Sequence, residues 1–294
     1  MGGNAFAQPQ SASEPQLLLK STVGLMAPVW SPTGSKIAVT TDNYAGILVA
    51  NADGTNLIPL TDESGAGYKM QWSADGNQIL SRTNIVENAR VFHEVKVWNV
   101  ESGKSTTLVN KTRDLKGTPT WKSVANISIA DRIGTKSVNT NTLAATASTP
   151  NVYDIMVNDP VHATAKIQAL KQFANKMVLN PAISPNGEMV AFQIPGHGIY
   201  TCNINGDNLK HVCKGTHPAW LPDNESLIFT RESDNGHVYT ASDIYAINTV
   251  TEKMNLLTGN TSLIPLRPTV SPDGTKVAFE NAADASIYII NLKY

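Results

Sequence analysis

One phrase of sequence recurs along the chain and limits its possible folds more than any other feature. It joins an apolar run, a Ser-Pro-x-Gly turn and a second apolar run, as in PVWSPTGSKIAVTT from Pro28 and PTVSPDGTKVAFEN from Pro268. Copies of graded quality begin at Met70, Pro119, Pro181 and Pro218. A period of about 40 to 60 residues is typical of propeller or solenoid arrays. The Trp of the phrase, or its substitute, falls at Trp30, Trp72, Trp121, Ile183, Trp220 and Val270.

Each repeat has the pattern of four short strands. Runs of four to seven residues bounded by Pro, Gly, Asp and Asn indicate strands and hairpins, and Asp53-Gly54 is a strong hairpin dipeptide. Four antiparallel strands per unit are typical of a propeller blade. Six copies therefore predict an all-β, six-bladed β-propeller. In the first unit the predicted strands are Pro28–Ser31, Lys36–Thr41, Gly46–Asn51 and Leu57–Thr61.

The two ends of the chain are predicted to share one blade. The sixth unit supplies three strands, including Lys276–Glu280 and Ser286–Leu292, and then the sequence ends at Tyr294. The segment Gln16–Ser21 precedes the first unit and has no other partner. Its pairing in the last blade would close the ring and leave no open sheet edge. Residues 16–294 are thus predicted to form a single propeller domain.

Residues 1–15 are small and polar, and they are predicted to be a disordered tail. Ala5-Phe6-Ala7 before Gln8 matches the pattern that precedes a signal-peptidase cut, although the basic and apolar parts of a signal peptide are absent. We interpret the tail as a remnant of an export signal, which predicts a periplasmic protein. The alternative is a tail without function.

The overall charge excludes two classes of partner. Lys plus Arg total 23 against 24 Asp plus Glu, a net charge of −1, so no nucleic acid or anionic membrane is recruited by bulk electrostatics. No run of 18 apolar residues occurs, and so no membrane span is predicted. Any charge that matters must be local. A monomer is expected.

The repeat resembles a known family. The pattern P-x-W-S-P-D-G-x-x-I-A-F followed by I-Y-x-x-N-x-D-G-x-N-x-x-x-L-T resembles the WD40-like (PD40) repeat of TolB-type six-bladed propellers. The resemblance implies a non-catalytic periplasmic propeller that binds a cell-envelope protein or peptide, such as a Pal-like or OmpA-like protein. The pattern is carried by Pro28–Val39 with Gly46–Thr61, Pro181–Phe192 with Ile199–Val212, and Pro268–Phe279 with Ile287–Leu292.

One face of the propeller is predicted to carry the function. The hairpins between the first and second and between the third and fourth strands are short and stereotyped. The other connections vary widely in length, and variable loops on a rigid scaffold usually bind partners. The alternative is that these loops merely tolerate insertion. Among the variable loops, residues 133–150 are predicted to be a mobile loop of unit three, followed by a strand at 164–170 rather than a helix at 161–176.

The residue before each copy of the phrase is predicted to stand at the mouth of the channel. Three of the six positions can carry positive charge and could bind a carboxylate, an extended peptide or an acidic partner loop. The alternative is that scattered basic residues keep the rim solvated. With Ala27 as the sixth mouth position, the candidate partner-binding residues are Lys69, Thr118, Asn180, His217 and Arg267 at the mouth and His197, Arg231 and His237 in the loops.

No enzyme, metal or cofactor is predicted. The chain has no G-x-S-x-G, no phosphate-binding Gly loop and no tight histidine spacing such as H-x-H or H-E-x-x-H. The alternative is a metal-dependent sugar-acid lyase or related hydrolase. Oligogalacturonate lyases are also propellers, with a metal held by His and Gln, and Gln193 with His197 faintly resembles such a site.

Cys202 and Cys213 are the two cysteines of the sequence. They are equidistant from the centre of the Asn205–Asn208 turn, so a symmetric hairpin would place them opposite each other. A disulfide is then predicted in an oxidising compartment. The alternative is a pair of free thiols.

Overall fold

We analysed a computed structural model of the chain, which describes residues 8–115, 117–123, 126–130, 135–139, 177–259 and 261–294. Two compact units are present: residues 22–154 form one, and residues 1–21 together with 155–294 form the other. The described residues contain 24 strands, numbered along the chain, and one short 3-10 helix at Asp42–Tyr44. None of the helical residues described is part of a helix long and apolar enough to cross a membrane.

The described residues of the unit 22–154 form three antiparallel sheets. The first has four strands in the order β3-β4-β5-β6, the second has β10-β9-β8-β7, and the third has β11-β12-β13. The bounds are Leu25–Trp30 (β3), Lys36–Thr41 (β4), Ile47–Asn51 (β5), Ile58–Thr61 (β6), Gln71–Trp72 (β7), Gln78–Glu87 (β8), Arg90–Asn99 (β9), Ser105–Thr112 (β10), Thr120–Ser123 (β11), Asn126–Ala130 (β12) and Thr135–Asn139 (β13).

The other unit also contains three sheets. The strand orders are β14-β15-β16-β17, β18-β19-β20-β21 and β22-β23-β24, with β24 also pairing β1 and β2. The bounds are Ser11–Ala12 (β1), Gln16–Leu19 (β2), Leu179–Ile183 (β14), Met189–Ile194 (β15), Gly198–Asn203 (β16), Lys210–Cys213 (β17), Thr216–Trp220 (β18), Ser226–Asp234 (β19), Tyr239–Asn248 (β20), Met254–Leu256 (β21), Pro265–Val270 (β22), Lys276–Asn281 (β23) and Ser286–Lys293 (β24).

Among the described residues, the structure shows five four-stranded blades where the repeat predicted six. The third sheet has three strands within the described residues, and the predicted strand at 164–170 lies outside them. The predicted loop at 133–150 is also partly wrong, because Thr135–Asn139 pairs antiparallel with Asn126–Ala130. The segment is polar, and apolar residues do not alternate along it, so its sequence carries no strand signal. The strand is defined by its backbone pairing with β12.

The predicted completion of the last blade by the N-terminal strand is confirmed. Strand β2 pairs antiparallel with β24, with Gln16 opposite Ile289. The prediction of a disordered tail is wrong for residues 8–15, because β1 continues along the same edge with Ser11 opposite Lys293. An open strand edge offers unpaired N–H and C=O groups, and the tail satisfies them.

Gln8 anchors the start of this ordered tail. Its side chain is buried, and its Nε2 donates to the carbonyl oxygens of Ala246, at 3.2 Å, and Lys253, at 2.7 Å. Asn255 Nδ2 donates to the Pro9 carbonyl at 2.7 Å. The sheet β18-β19-β20-β21 therefore holds the segment before it reaches β24.

The tryptophans of the repeat link neighbouring blades. Nε1 of Trp72 donates to the Val29 carbonyl at 3.1 Å, and Nε1 of Trp220 donates to the Ala182 carbonyl at 3.0 Å. Trp121 makes the equivalent bond, at 3.3 Å, to the carbonyl of Gln71. The indole thus buries apolar area and satisfies a backbone acceptor of the preceding blade. The recurring phrase is therefore a structural element.

A bulge recurs in the first strand of the blades. Pairing between the first and second strands shifts register at the same place in four blades, for example between Met26 and Val29 and between Leu266 and Thr269. Such bulges re-aim a side chain out of the alternation of the strand. The residue at this place has a positive φ of 48–51° in five blades, and we call these the bulge residues: Ala27, Lys69, Asn180, His217 and Arg267.

Candidate functional site

The bulge residues coincide with five of the six predicted mouth positions. Positive φ is unusual for residues with a Cβ and costs of the order of 1 kcal/mol or more, so a backbone of this kind is often found at functional sites. The sixth position, Thr118, is half-buried. The residue thirteen positions after each bulge residue lies on the second strand and is polar in all five blades: Thr40, Arg82, Gln193, Thr230 and Glu280.

In the unit of residues 1–21 and 155–294, a glutamate on the second strand, at or near this position, neutralises the positive charge predicted for the bulge residue. Arg267 Nη1 is hydrogen-bonded to Glu280 Oε1, and the side chain of Glu280 is only 7% exposed. His217 Nδ1 lies 3.3 Å from Glu232 Oε1. The predicted cationic character is therefore not available at either position.

Glu232 is held as a carboxylate by its surroundings. Burial raises its pKa, but hydrogen bonds from His217, Thr216 and Thr230 together lower the pKa by more than burial raises it, so it lies below the ordinary value. Thr230 Oγ1 donates to Glu232 Oε1 at 2.7 Å. This carboxylate serves the protein's own side chains.

The other predicted residues are held by the scaffold or lie in exposed hairpins. Asn180 Nδ2 donates to Gln193 Oε1 at 2.9 Å. Arg231 Nε donates to the Lys214 carbonyl at 3.1 Å, and its guanidinium lies 4.8 Å from the centre of the Tyr245 ring. His197 and His237 are exposed residues of two different hairpins. Asn180, His217, Arg231 and Arg267 are therefore each bonded to a different group of the protein.

Blade two differs, because a second cation stands where the other blades have a neutral or acidic residue. Lys69 Nζ lies 5.7 Å and Arg82 Cζ lies 5.9 Å from the centre of the Tyr68 ring. A second tyrosine, Tyr44, packs edge-on against Tyr68 with ring centres 5.1 Å apart. We call these four residues the Tyr68 site. The sequence pattern did not identify Tyr44, Tyr68 or Arg82, although the thirteen-residue spacing could have indicated Arg82.

Two glycines allow the link between β6 and β7 to position Tyr68. A Cβ on Gly65, whose φ is +75°, would lie 2.3 Å from Asn84 Nδ2. A Cβ on Gly67 would lie 1.9 Å from Thr40 Oγ1. Only glycine therefore lets this link run directly against β4 and β8.

Hydrogen bonds then fix the link. Tyr68 N donates to the Gly65 carbonyl at 3.0 Å, and Gly67 N donates to the Tyr44 carbonyl at 3.1 Å. Lys96 Nζ on β9 holds Glu63 at 2.8 Å. The tyrosines are thus presented by a loop that is bonded at several points rather than by a free turn.

The Tyr68 site carries two positive charges that no carboxylate of the described residues cancels. Among the described residues, no carboxylate lies within ion-pair distance of Lys69 or Arg82. Burial lowers the pKa of Arg82, but a guanidinium stays charged at neutral pH. Arg82 Nη1 donates to the Gly117 carbonyl at 2.7 Å, which orients the group, and Tyr68 is 37% exposed. The arrangement is suited to binding an anionic group.

No metal site is visible in the described part of the chain, where no three His, Cys, Asp or Glu side chains come together. Gln193 and His197 are the two residues that faintly resemble the ligands of a lyase. Gln193 accepts its hydrogen bond from Asn180, and His197 lies in the turn that follows β15.

The predicted disulfide is not formed, and both cysteines are buried free thiols. The strands pair with Cys213 opposite Ile199, because the hairpin is asymmetric and shifts register after Ile199. Cys202 therefore faces the other side of the sheet, with Val190 and Phe192. Burial raises the pKa of both thiols to about 11, with nearby Asp207 contributing at Cys202.

The antiparallel blades define the chain as a β-propeller. It matches the β-propeller domain of Cps50 (Swd1) from Myceliophteria thermophila with a TM-score of 0.61 and 13% identity, covering 97% of this chain and 100% of that one. A chain of the mitotic checkpoint complex matches with a TM-score of 0.53 and 13% identity, covering 100% and 95%. An oligogalacturonate lyase in complex with manganese matches with a TM-score of 0.51 and 13% identity, covering 98% and 95%.

At these identities the matches show the fold alone. No protein-family model matches the sequence, and no curated protein matches it. The function must therefore be argued from the residues of this chain.

Proposed function

We propose that this chain is a non-enzymatic, protein-binding propeller that holds an acidic segment of its partner at the Tyr68 site. The observation that carries the proposal is the pair of cations, Lys69 and Arg82, on one exposed tyrosine. Arg267 and His217 occupy the same structural position as Lys69 and are paired with glutamates. The contrast singles out blade two.

The residue types fit a protein interface. Tyrosine and arginine are enriched at the energetically important positions of interfaces, and a guanidinium binds a carboxylate through two parallel hydrogen bonds. Arg82 is already oriented by Gly117, so little side-chain entropy is lost on binding. Each hydrogen bond to a charged group contributes about 1.5–3 kcal/mol. Loss of both cations should therefore weaken binding by more than about tenfold.

The finer parts of the proposal rest on the sequence. The TolB-like repeat supports a cell-envelope partner such as a Pal-like or OmpA-like protein. The Ala-Phe-Ala sequence before Gln8 supports a periplasmic location. A matched propeller that belongs to the mitotic checkpoint complex shows that the fold occurs in protein assemblies.

Binding of acidic peptides tests the proposal. Fluorescently labelled ten-residue peptides with two Asp or Glu, and the same peptides with Asn or Gln, are titrated with the protein at about 50 and 300 mM salt. We expect the acidic peptides to bind more tightly, with an affinity that falls as salt screens the charges. Lys69→Gln with Arg82→Gln should remove this preference.

The matched control is Lys36→Gln with Lys104→Gln. It removes the same net charge from the same unit. Lys36 is the first residue of β4 and Lys104 directly precedes β10, and neither lysine has an ion pair with a described residue. Equal loss of binding in both double variants would mean that bulk charge alone attracts the peptides, and the Tyr68 site would be rejected.

The sugar-acid lyase alternative is supported by the fold match to a lyase but by no side-chain arrangement in the described residues. Metal analysis of the purified protein and a screen on uronate oligomers distinguish the two proposals. Turnover of a uronate that depends on a bound metal would replace the binding function with the enzymatic one.

A further inference from the structure

The second and third strands of blade two are longer than those of blade one and extend the Tyr68 site. Strands β8 and β9 have ten residues each, whereas β4 has six and β5 has five. In this hairpin Asn84 pairs with His93 and Val86 pairs with Val91, while Arg82 lies two residues before Asn84. Because side chains alternate along a strand, these residues lie on one face. We call Arg82, Asn84, Val86, Val91 and His93 the hairpin strip.

The far end of the hairpin strip is apolar and exposed. Val86 is 68% exposed and Val91 is 47% exposed, although they form a cross-strand pair. The turn between them is tight, with positive φ at both Asn88 and Ala89, as two-residue hairpin turns require. The two valines thus form a fixed apolar end that contributes little to the core.

The middle of the strip is polar and uncharged. His93 Nδ1 lies 2.9 Å from Asn84 Oδ1, and since the amide oxygen only accepts, Nδ1 donates. Burial and the nearby positive charge of Arg82 lower the pKa of His93, so the ring is neutral at pH 7. The positive charge is therefore confined to the end of the strip at Arg82 and Lys69.

We infer that the hairpin strip binds an extended partner segment in which an acidic and an apolar residue lie four positions apart. This inference rests on the proposed binding of acidic segments at the Tyr68 site. Arg82 and Val86 are four residues apart on one strand, which corresponds to about 13 Å. An extended segment spans that length in four residues with both side chains on one face. Two helical residues four apart are separated by only about 6 Å along the axis, so a helix does not match this spacing.

The occupant is therefore a strand-like segment of another protein, with its carboxylate at the charged end and its apolar side chain on the valines. The positive charge of Arg82 and Lys69 favours the carboxylate, and the exposed valine pair favours the apolar side chain. The residue midway between the two faces Asn84 and His93, where a polar or small side chain is expected.

Peptides of fixed composition test the spacing. One series places Leu four residues from Asp, a second places it three residues away, which puts it on the opposite face, and a third replaces Leu by Ser. Wild-type protein should bind the four-residue spacing about five- to tenfold more tightly than the other two, as expected for burial of one apolar side chain. Val86→Thr with Val91→Thr, which keeps branched residues in both strands, should abolish this difference and leave the binding of the Ser series unchanged.

The arms of the experiment separate the two proposals. If the acidic peptides bind but the spacing of Leu has no effect, or if the valine variant keeps the preference, the hairpin strip is overturned and the Tyr68 site stands. If no acidic peptide binds, both are overturned. Sedimentation of wild type and the valine variant serves as a control, because a dimer lost in the variant would mean that the valines contact a second copy, which would also overturn the inference.

Discussion

Replacement of Gly67 by alanine tests whether the close packing of the β6–β7 link builds the Tyr68 site. The added Cβ would lie 1.9 Å from Oγ1, 2.2 Å from Cβ and 2.9 Å from Cγ2 of Thr40. Thr40 cannot turn away cheaply, because it is fully buried and its Oγ1 donates to the Gly46 carbonyl at 2.7 Å. The link or β4 must move instead.

The magnitude follows from two contributions. Overpacking of a buried site costs about 1–3 kcal/mol, and loss of the Thr40 hydrogen bond costs about 1 kcal/mol. We therefore expect Gly67→Ala to lower the free energy of unfolding by about 2–4 kcal/mol. At about 1.6 °C per kcal/mol for 294 residues, from an unfolding entropy of about 2.1 cal/mol/K per residue, the melting temperature should fall by roughly 3–6 °C. Binding of acidic peptides should fall as well, because Tyr68 follows Gly67 directly.

Thermal unfolding of four variants provides the assay: Gly67→Ala, Thr40→Ala, their combination and Gly103→Ala. Gly103→Ala is the control, since a Cβ there meets nothing within 4 Å and the substitution costs only the strain of its φ of +67°. Thr40→Ala combined with Gly67→Ala gives the double-mutant cycle, in which the smaller side chain makes room for the new methyl group. The effects should be strongly non-additive. If Gly67→Ala is no worse than Gly103→Ala, or if the two changes simply add, the steric argument is wrong.

Three further predictions concern other parts of the chain. Trp220→Phe keeps the ring but loses the hydrogen bond to Ala182, so thermal melts should show a loss of about 1 kcal/mol. The pKa of Glu232 is lower in the folded chain, so its contribution to stability is full above its ordinary pKa and is lost as pH falls through the lowered value. Unfolding titrations of Glu232→Gln and wild type should therefore converge toward acid pH. Cys202 and Cys213 should be unreactive toward a thiol reagent at pH 8 until the protein unfolds, whereas a disulfide would give no reaction then either.

Backbone features that recur along the chain were predictable from the sequence. The turn and strand pattern of the repeat gives β4 at Lys36–Thr41 with its observed bounds, and the unpaired apolar segment at Gln16 identified the strand that completes the last blade. Both depend on local signals, namely turn residues and apolar runs, that repeat with each blade.

Features that depend on strand register were not predictable in the same way. The cysteine pair was placed by assuming a symmetric hairpin, and one register shift moves Cys213 opposite Ile199 and turns the two thiols to different sides of the sheet. The positive charge of the channel mouth was predicted from residues of the first strands alone. The carboxylates that cancel it, Glu232 and Glu280, belong to the second strands and face the bulge residues only because of the bulge.

The bulge explains how one structural repeat can carry different chemistry in each blade. It turns one side chain of the first strand toward a polar residue of the second strand, thirteen positions later at Asn180 and Arg267 and fifteen at His217, and the pair decides the local charge. Arg267 with Glu280 is neutral, and Asn180 with Gln193 forms an uncharged amide pair. Lys69 is followed at this spacing by Arg82, which adds charge instead of cancelling it, and both cations lie within 6 Å of the centre of the exposed Tyr68 ring. The proposed binding at blade two thus needs no change in the fold, only a different residue at one position of the second strand.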